Sequence, residues 1–410
     1  MSEQQDGPAV RVVRVDRHAV LVLPTDAAGT VEPAPGDGAA VPDDGSRATV
    51  LAAARPPRTG EPDTADAAPD TADAAPDTAD AAPAAADADT AAPVVPAPQR
   101  VALDRDGLVP ADDGTRLAPT VGDVLVLDER PGAPVRVARL VPRRTALVRD
   151  SADRTSLTQA LAANVDVVVV AEHLDPEPDL GRVERLLTLA WRSGALPVVV
   201  LTKADLAPDA DAIAAEVADA AIGVDVHVVS ATRGTGLEPL RALLTPGTTI
   251  VVVGPSGAGK STLVNALAGR EVMATGESRA DGRGRHTTVH RELVALGGGA
   301  MLIDTPGVRG VGLVADADAL STTFADVEEL GAACRFRDCA HASEPGCAVR
   351  AALDAGDLPQ RRFASWQRLA REAAFQARRA DARLAAEQKA QHKRATLEYH
   401  RGQRAEAPRR

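Results

Sequence analysis

"GPSGAGKST" at Gly254–Thr262 follows the apolar run "IVVV" and leads straight into "LVNAL". Strand, glycine-rich turn and helix in that order meet the pattern G-x-x-x-x-G-K-[ST] through Gly254, Gly259, Lys260 and Ser261. Pro255, Ser256, Gly257 and Ala258 complete the loop, and Thr262 enters the helix. The glycines let backbone N–H groups turn toward phosphates, and the helix N-terminus adds partial positive charge. Lys260 would reach the β- and γ-phosphates, and the Ser261 hydroxyl would hold Mg²⁺. The loop does not choose its nucleotide; the same string suits an ATPase or a nucleoside monophosphate kinase.

The choice comes from segments further out. "TKAD", Thr202–Asp205, ends a buried strand pattern, "PVVVLTKAD". Asp205 can accept two hydrogen bonds from guanine N1–H and N2–H₂, a donor pair that adenine lacks. The Lys203 stem can lie over the base, with Ala204 between the two. One helix later comes "VVSATRGTG", whose Ser230-Ala231 backbone can meet guanine O6. Thr202 stands where Asn is usual; its single hydroxyl should tether neighbouring loops more weakly than a carboxamide, leaving base choice to Asp205. On the other side, "DTPG" (Asp304–Gly307) ends the strand pattern "MLI". Asp304 there can hold Mg²⁺ through water, and the Gly307 N–H can sense the γ-phosphate.

From Val165 to Asp304 buried strand patterns alternate with helical ones, the signature of a parallel sheet covered on both faces. Before it, Val10–Leu23 and the stretches from Arg100, Val121 and Val135 read as short strands. About five such strands fit a small barrel such as an OB-fold. Between them "DTADAAP" occurs three times in register, at Asp63–Pro69, Asp70–Pro76 and Asp77–Pro83. The seven-residue period is not a coiled coil: each repeat carries Pro and none carries a large apolar residue. It reads as an acidic disordered insertion. After Asp318 the strand patterns stop, and Pro359–Tyr399 has a helix-favouring composition.

Composition bounds the rest. At about 150 residues per domain, 410 residues make two or three domains. Apolar residues are 45% and aromatics 2%, so the cores must be Val, Leu and Ala. No apolar run approaches the ~18 residues that span a bilayer, and the polar start "MSEQQDGPAV" is no secretory signal; a cytoplasmic protein with no membrane partner is expected. The net charge of −12 hides segregation. Residues 61–93 carry nine acids and no Lys or Arg, whereas 361–410 carry fourteen Lys/Arg against five acids. An RNA partner is therefore compatible with the acidic total.

All three cysteines fall in "CRFRDCAHASEPGC", giving Cys334-x₄-Cys339-x-His341-x₅-Cys347. Three thiolates and one imidazole complete tetrahedral Zn²⁺ with no open position, so the site should be structural.

The order TKAD, SA, phosphate loop, DTPG is that of a GTPase whose halves have been exchanged. With a β-barrel in front and a Cys/His cluster behind, the chain resembles the small ribosomal subunit biogenesis GTPases of the RsgA (YjeQ) family. "VPRRTALVRD", "LAANVD" and "GRHTT" also stand as in that family. The resemblance covers most of residues 10–400. It implies three domains: an N-terminal OB-fold-like barrel, a central circularly permuted α/β P-loop GTPase domain and a C-terminal zinc-binding helical domain. The corresponding limits here are a tail at 1–9, an RNA-binding barrel at 10–147 interrupted at about 58–97, the GTPase domain at 148–317, the zinc and helical domain at 318–400 and a basic tail at 401–410. The resemblance further implies GTP/GDP as ligand, one structural Zn²⁺ per chain, hydrolysis stimulated by the small ribosomal subunit, and that subunit with its rRNA as partner to a monomer. The rival readings are an ATP-using P-loop kinase or ATPase, and an RNA-binding scaffold with a vestigial nucleotide site.

"ESRADGRGRHTTVHREL", from Glu277 to Leu293, is rich in Gly and Arg and reads as a mobile switch loop. Thr287 or Thr288, the second favoured, would supply another Mg²⁺ ligand beside Ser261 and Asp304. Arg279, Arg283, Arg285 and Arg291 are placed to meet RNA phosphates. The residue after DTPG is Val308, which cannot orient water, so His286 is the candidate catalytic group, in line with the resemblance.

Overall fold

The computed structural model describes residues 7–16, 18–25, 97–149, 159–273, 291–304 and 316–378. The acidic repeats, Arg279, Arg283, Arg285, His286, Thr287, Thr288, Gly307, Val308 and the tail after residue 378 lie outside these ranges.

The Val-rich alternation of the N-terminal region gives β1 (Ala9–Asp16), β2 (Ala19–Pro24) and, beyond the insertion, β3 (Gln99–Ala102), β4 (Val109–Pro110), β5 (Arg116–Leu117), β6 (Val124–Asp128) and β7 (Arg136–Leu140). Antiparallel pairing runs β3–β2–β1–β6–β7, and a parallel bridge from Ala111 to Leu140 brings the end of β4 back to β7. The enclosed core is Val10, Val12, Val20, Val22, Val101, Val109, Leu125, Leu127 and Leu140, without an aromatic ring. Next, β8 (Ala146–Arg149) and β9 (Gln159–Ala163) form an antiparallel pair. The sequence reading missed β9, because "QALAA" has little intrinsic strand preference; its Leu161 and Ala162 pack into the central core.

The alternating segment folds as β10 (Val167–His173), α1 (Leu180–Ser193), β11 (Leu196–Thr202), α2 (Ala210–Ala220), β12 (Val226–Val228), α3 (Glu238–Ala242), β13 (Thr249–Val253), α4 (Lys260–Ala268), β14 (Glu292–Ala295) and β15 (Met301–Asp304). The sheet order is β12–β11–β10–β13–β15–β14. All pairs from β12 to β15 are parallel, and β14 is antiparallel to β15. Alternate residues serve opposite faces: Val168, Val170, Val199 and Leu201 meet α1 and α2, whereas Val167, Val169, Val198 and Val200 meet α3 and α4. Cutting a buried Leu such as Leu187 or Leu263 to Ala costs about 2–5 kcal/mol. Strand β14 corrects the loop reading, since Glu292 and Leu293 belong to the sheet.

β1 also pairs with β14, at Arg14 and Glu292, so the two sheets are continuous. A buried polar knot joins them at the base. Arg11 donates to the Asn164 carbonyl (3.1 Å) and the Thr249 hydroxyl (2.7 Å). The Asn164 side chain donates to the Gly122 carbonyl (2.9 Å) and accepts the Arg144 N–H (3.0 Å). Arg143 forks onto Asp123, at 2.7 and 2.9 Å. Gly122 has φ +90, and a Cβ there would stand 2.1 Å from the Ala163 carbonyl oxygen. "VPRRT" and "LAANVD" thus meet at one junction.

The last segment holds α5 (Ala317–Thr323), α6 (Ala325–Ala332), α7 (Ala348–Ala355) and a helix, α8, over residues 360–378. Phe324, Val327, Val349, Leu358 and Phe363 form their core. Among the described residues no helix is long and apolar enough to cross a membrane.

Candidate functional site

The chain leaves β10 in one direction through β11 and β12, then returns on the other side with β13 and β15. The crevice beyond the C-terminal ends of such strands, where the direction reverses, is where open α/β sheets bind ligands. The Gly254–Thr262 loop leaves β13 at that point. Gly254 has φ +146, and a Cβ on it would lie 2.0 Å from the Ala171 carbonyl oxygen of β10. Only glycine lets the loop pass so close to the neighbouring strand. Gly259 caps α4 at φ 70, and the Lys260 ammonium donates to the Gly254 (3.1 Å) and Pro255 (2.6 Å) carbonyls, folded over its own loop.

TKAD follows β11 in the same crest. The Thr202 hydroxyl lies 2.8 Å from the Ala258 carbonyl and 3.1 Å from that of Glu172. Its one proton therefore ties the base-reading segment to the phosphate loop. Lys203 takes a left-handed backbone, φ 61, and turns Ala204–Leu206 into a single helical turn. The Ala204 N–H donates to the Val229 carbonyl at 3.1 Å, and the Ser230 hydroxyl donates to Asp205 at 2.6 Å. The Ser230 hydrogen bond holds the Asp205 carboxyl below the usual carboxylate range. Ser230 exchanges backbone bonds with Thr235, closing the loop that carries Ala231. Thr202, Lys203, Asp205, Ser230 and Ala258 are thus brought together.

Ser261 lies in the first turn of α4, and Asp304 ends β15, the strand next to β13. Among the described residues, neither the Ser261 hydroxyl nor the Asp304 carboxylate has a hydrogen-bond partner. Burial pushes the Asp304 carboxyl up, the Glu292 charge adds to this, and Lys260 opposes it. A half-buried carboxylate and a free hydroxyl beside a lysine are hard oxygen donors of the kind that suit Mg²⁺.

The cysteine cluster forms a second site. The Cys334 and Cys347 sulfurs are 3.8 Å apart, and His341 Nδ1 stands 3.6 and 3.5 Å from them. With Cys339 included, all four donor atoms lie within 4.8 Å of one another. Zn–S bonds of about 2.3 Å and Zn–N bonds of about 2.0–2.1 Å would set tetrahedral S···S at about 3.8 Å and S···N at about 3.6 Å. The donor set therefore fits zinc. His341 packs on Trp366 (5.7 Å) and Phe363 (6.4 Å) of α8.

Sequence reasoning missed what locks α8 in place. Arg362, 2% exposed, donates to Asp326, Glu184 and the Ala220 and Thr323 carbonyls at 2.8–3.1 Å, and stacks over Phe324 at 4.4 Å. These partners are scattered over the chain, and no local signal marks them.

Phosphate loop, guanine-reading segment and strand order together define a P-loop nucleotide hydrolase whose halves are exchanged in the chain. The fold is similar to that of YloQ, a circularly permuted GTPase, with TM-score 0.51 and 18% identity over 92% of this chain and 98% of that one. A sequence profile described as RsgA GTPase matches residues 140–314. The small ribosomal subunit biogenesis GTPase RsgA of Streptomyces avermitilis is 53% identical over 285 residues, 67% of this chain and 77% of the relative. That of Opitutus terrae is 48% identical over 286 residues, 67% of this chain and 78% of the relative. The chain belongs to the RsgA GTPase family.

Proposed function

We propose that the protein is a GTPase that binds the small ribosomal subunit and assists its late maturation, hydrolysing GTP to GDP and phosphate with turnover stimulated by the subunit. The observation that carries the nucleotide part is the Thr202–Ala258 tie, which sets the Asp205 carboxylate and the phosphate loop in one crest. Asp205 reads guanine, with Lys203 over the base and the Ser230-Ala231 backbone at O6. Gly254–Thr262 holds the phosphates, and Lys260 neutralises the charge that builds on the β- and γ-oxygens. Mg²⁺, when bound, would supply Lewis-acid charge stabilisation; Ser261 and Asp304 hold it, with Thr287 or Thr288. The Gly307 N–H senses the γ-phosphate and His286 positions the attacking water.

The partner is inferred from the relatives' names and from the basic C-terminal segment. The N-terminal unit is read as an RNA-binding OB-fold: the strand order β3–β2–β1–β6–β7 and the parallel return at Ala111–Leu140 favour a five-stranded, partly open barrel. Cys334, Cys339, His341 and Cys347 hold one structural Zn²⁺.

Co-sedimentation with small and large subunits, under GDP and a non-hydrolysable GTP analogue, tests this directly. Selective pelleting with small subunits in the GTP-analogue state, together with faster single-turnover hydrolysis of GTP than of ATP, is the expected result. Equal use of ATP would turn the reading into a general P-loop ATPase, and indifference to both subunits would remove the ribosomal role.

A further inference from the structure

Asp304 closes β15 with Glu292 directly across from it on β14, and Arg14 of β1 stands directly across from Glu292 in turn. Opposed residues of an antiparallel pair share one face of the sheet, with Cβ atoms about 4.5–5.5 Å apart. The neighbours fix which face. Leu293 and Ile303 enter the core beneath α1, whereas Leu302 enters the core beneath α4 with Leu263 and Val264. By alternation Glu292 and Asp304 both rise on the α4 face, the side of Lys260 and Ser261. Two carboxylates therefore stand side by side at the metal end of the phosphate loop.

Among the described residues the Glu292 side chain, which is exposed, has no hydrogen bond or ion pair, and neither has the Asp304 carboxylate. Arg14 forms no ion pair with it; its guanidinium is held by Asp16 at 3.2 Å, which also takes Arg100 at 2.8 Å. Like charges on opposed strand residues destabilise a sheet. No described cation of β1 forms an ion pair with Glu292, and a divalent ion beside Asp304 would relieve the two like charges.

We propose that Glu292 is a second carboxylate of the Mg²⁺ site, acting on the hydrated ion through one of its waters, with Arg14 of the N-terminal unit limiting the charge that the ion feels. Mg²⁺ keeps several waters when bound by one or two carboxylates and phosphates, so a carboxylate one strand away can hydrogen-bond to its shell. The proposal rests on the reading of Ser261 and Asp304 as the metal side of the site. It gives the N-terminal unit a route to the nucleotide, since β1 contributes the outermost charge of the row.

The test is a Mg²⁺ titration of fluorescent GDP affinity in wild type, Glu292→Gln, Arg14→Gln and Asp304→Asn, with EDTA as baseline. Coulomb attraction to a divalent ion at partly hydrated range predicts a rise of about three- to tenfold in the Mg²⁺ midpoint for Glu292→Gln. The midpoint should fall for Arg14→Gln, each midpoint being read against the same protein's affinity in EDTA. A wild-type midpoint for Glu292→Gln alongside a shifted one for Asp304→Asn would overturn the proposal and leave the site reading intact. Unshifted midpoints in both would overturn the two together. Loss of GDP binding even in EDTA, in wild type, would instead strike the nucleotide reading itself.

Discussion

The base and the crest of the central sheet treat polar side chains in opposite ways. At the base and flank, charged groups are buried and engaged: Asp123 takes both arms of Arg143, and Arg362 is wrapped by carboxylates and carbonyls from four parts of the chain. At the crest, Ser261 and Asp304 have no partner among the described residues, and Lys260 folds back on its own loop. A buried polar group without a partner costs stability, and the groups that hold the fold are engaged, with Glu184 Oε2 and the Trp191 indole N–H as exceptions among the described residues. Groups left open at a strand end are those with a ligand to meet. The comparison separates residues that position the site from residues that work in it.

The zinc cluster should give the largest effect, because its donors converge like a ligand site while its product is structure. Zinc contributes about 10–16 kcal/mol of apparent binding free energy in small zinc-finger peptides. Cys339→Ser should lose the metal, and hydrogen exchange should rise through α6 and α7, while GDP still binds. Elemental analysis gives the stoichiometry; retention of a full equivalent of zinc by the variant would break the assignment.

Arg362→Ala comes next. It strands Glu184 and Asp326 beside the hole it leaves, and removing one partner of a buried pair costs about 3–5 kcal/mol. Denaturant unfolding should record that loss with GDP affinity nearly unchanged. A stable variant with weakened nucleotide binding would place Arg362 on the wrong side of the comparison.

Thr202→Val should be the mildest. It removes one hydrogen bond worth about 0.5–1.5 kcal/mol, so GDP affinity should fall several-fold with guanine preference kept. Unaltered affinity would mean that the tie between TKAD and the phosphate loop is incidental.

What the sequence made legible follows the same division. The phosphate loop, TKAD and the cysteine cluster are local, since their chemistry fixes residue types at short spacing. The parallel sheet was legible because Val runs such as Val167–Val170 are buried on both faces. β9 was not, since an Ala-rich run packs by context and not by preference, and Glu292 was hidden because it follows directly on a Gly/Arg-rich loop. The knots around Arg362 and Asn164 could not be read at all. Their partners, such as Glu184 and Gly122, become neighbours only once the sheet is built.

Guanine selection in the permuted chain turns on Asp205. The direct measurement is competition binding of GTP and XTP to wild type and Asp205→Asn. A carboxamide can donate to the 2-oxo group of xanthine but can no longer accept both guanine donors. The variant should lose GTP affinity and gain XTP affinity. Unchanged GTP affinity with no gain for XTP would contradict this role of Asp205.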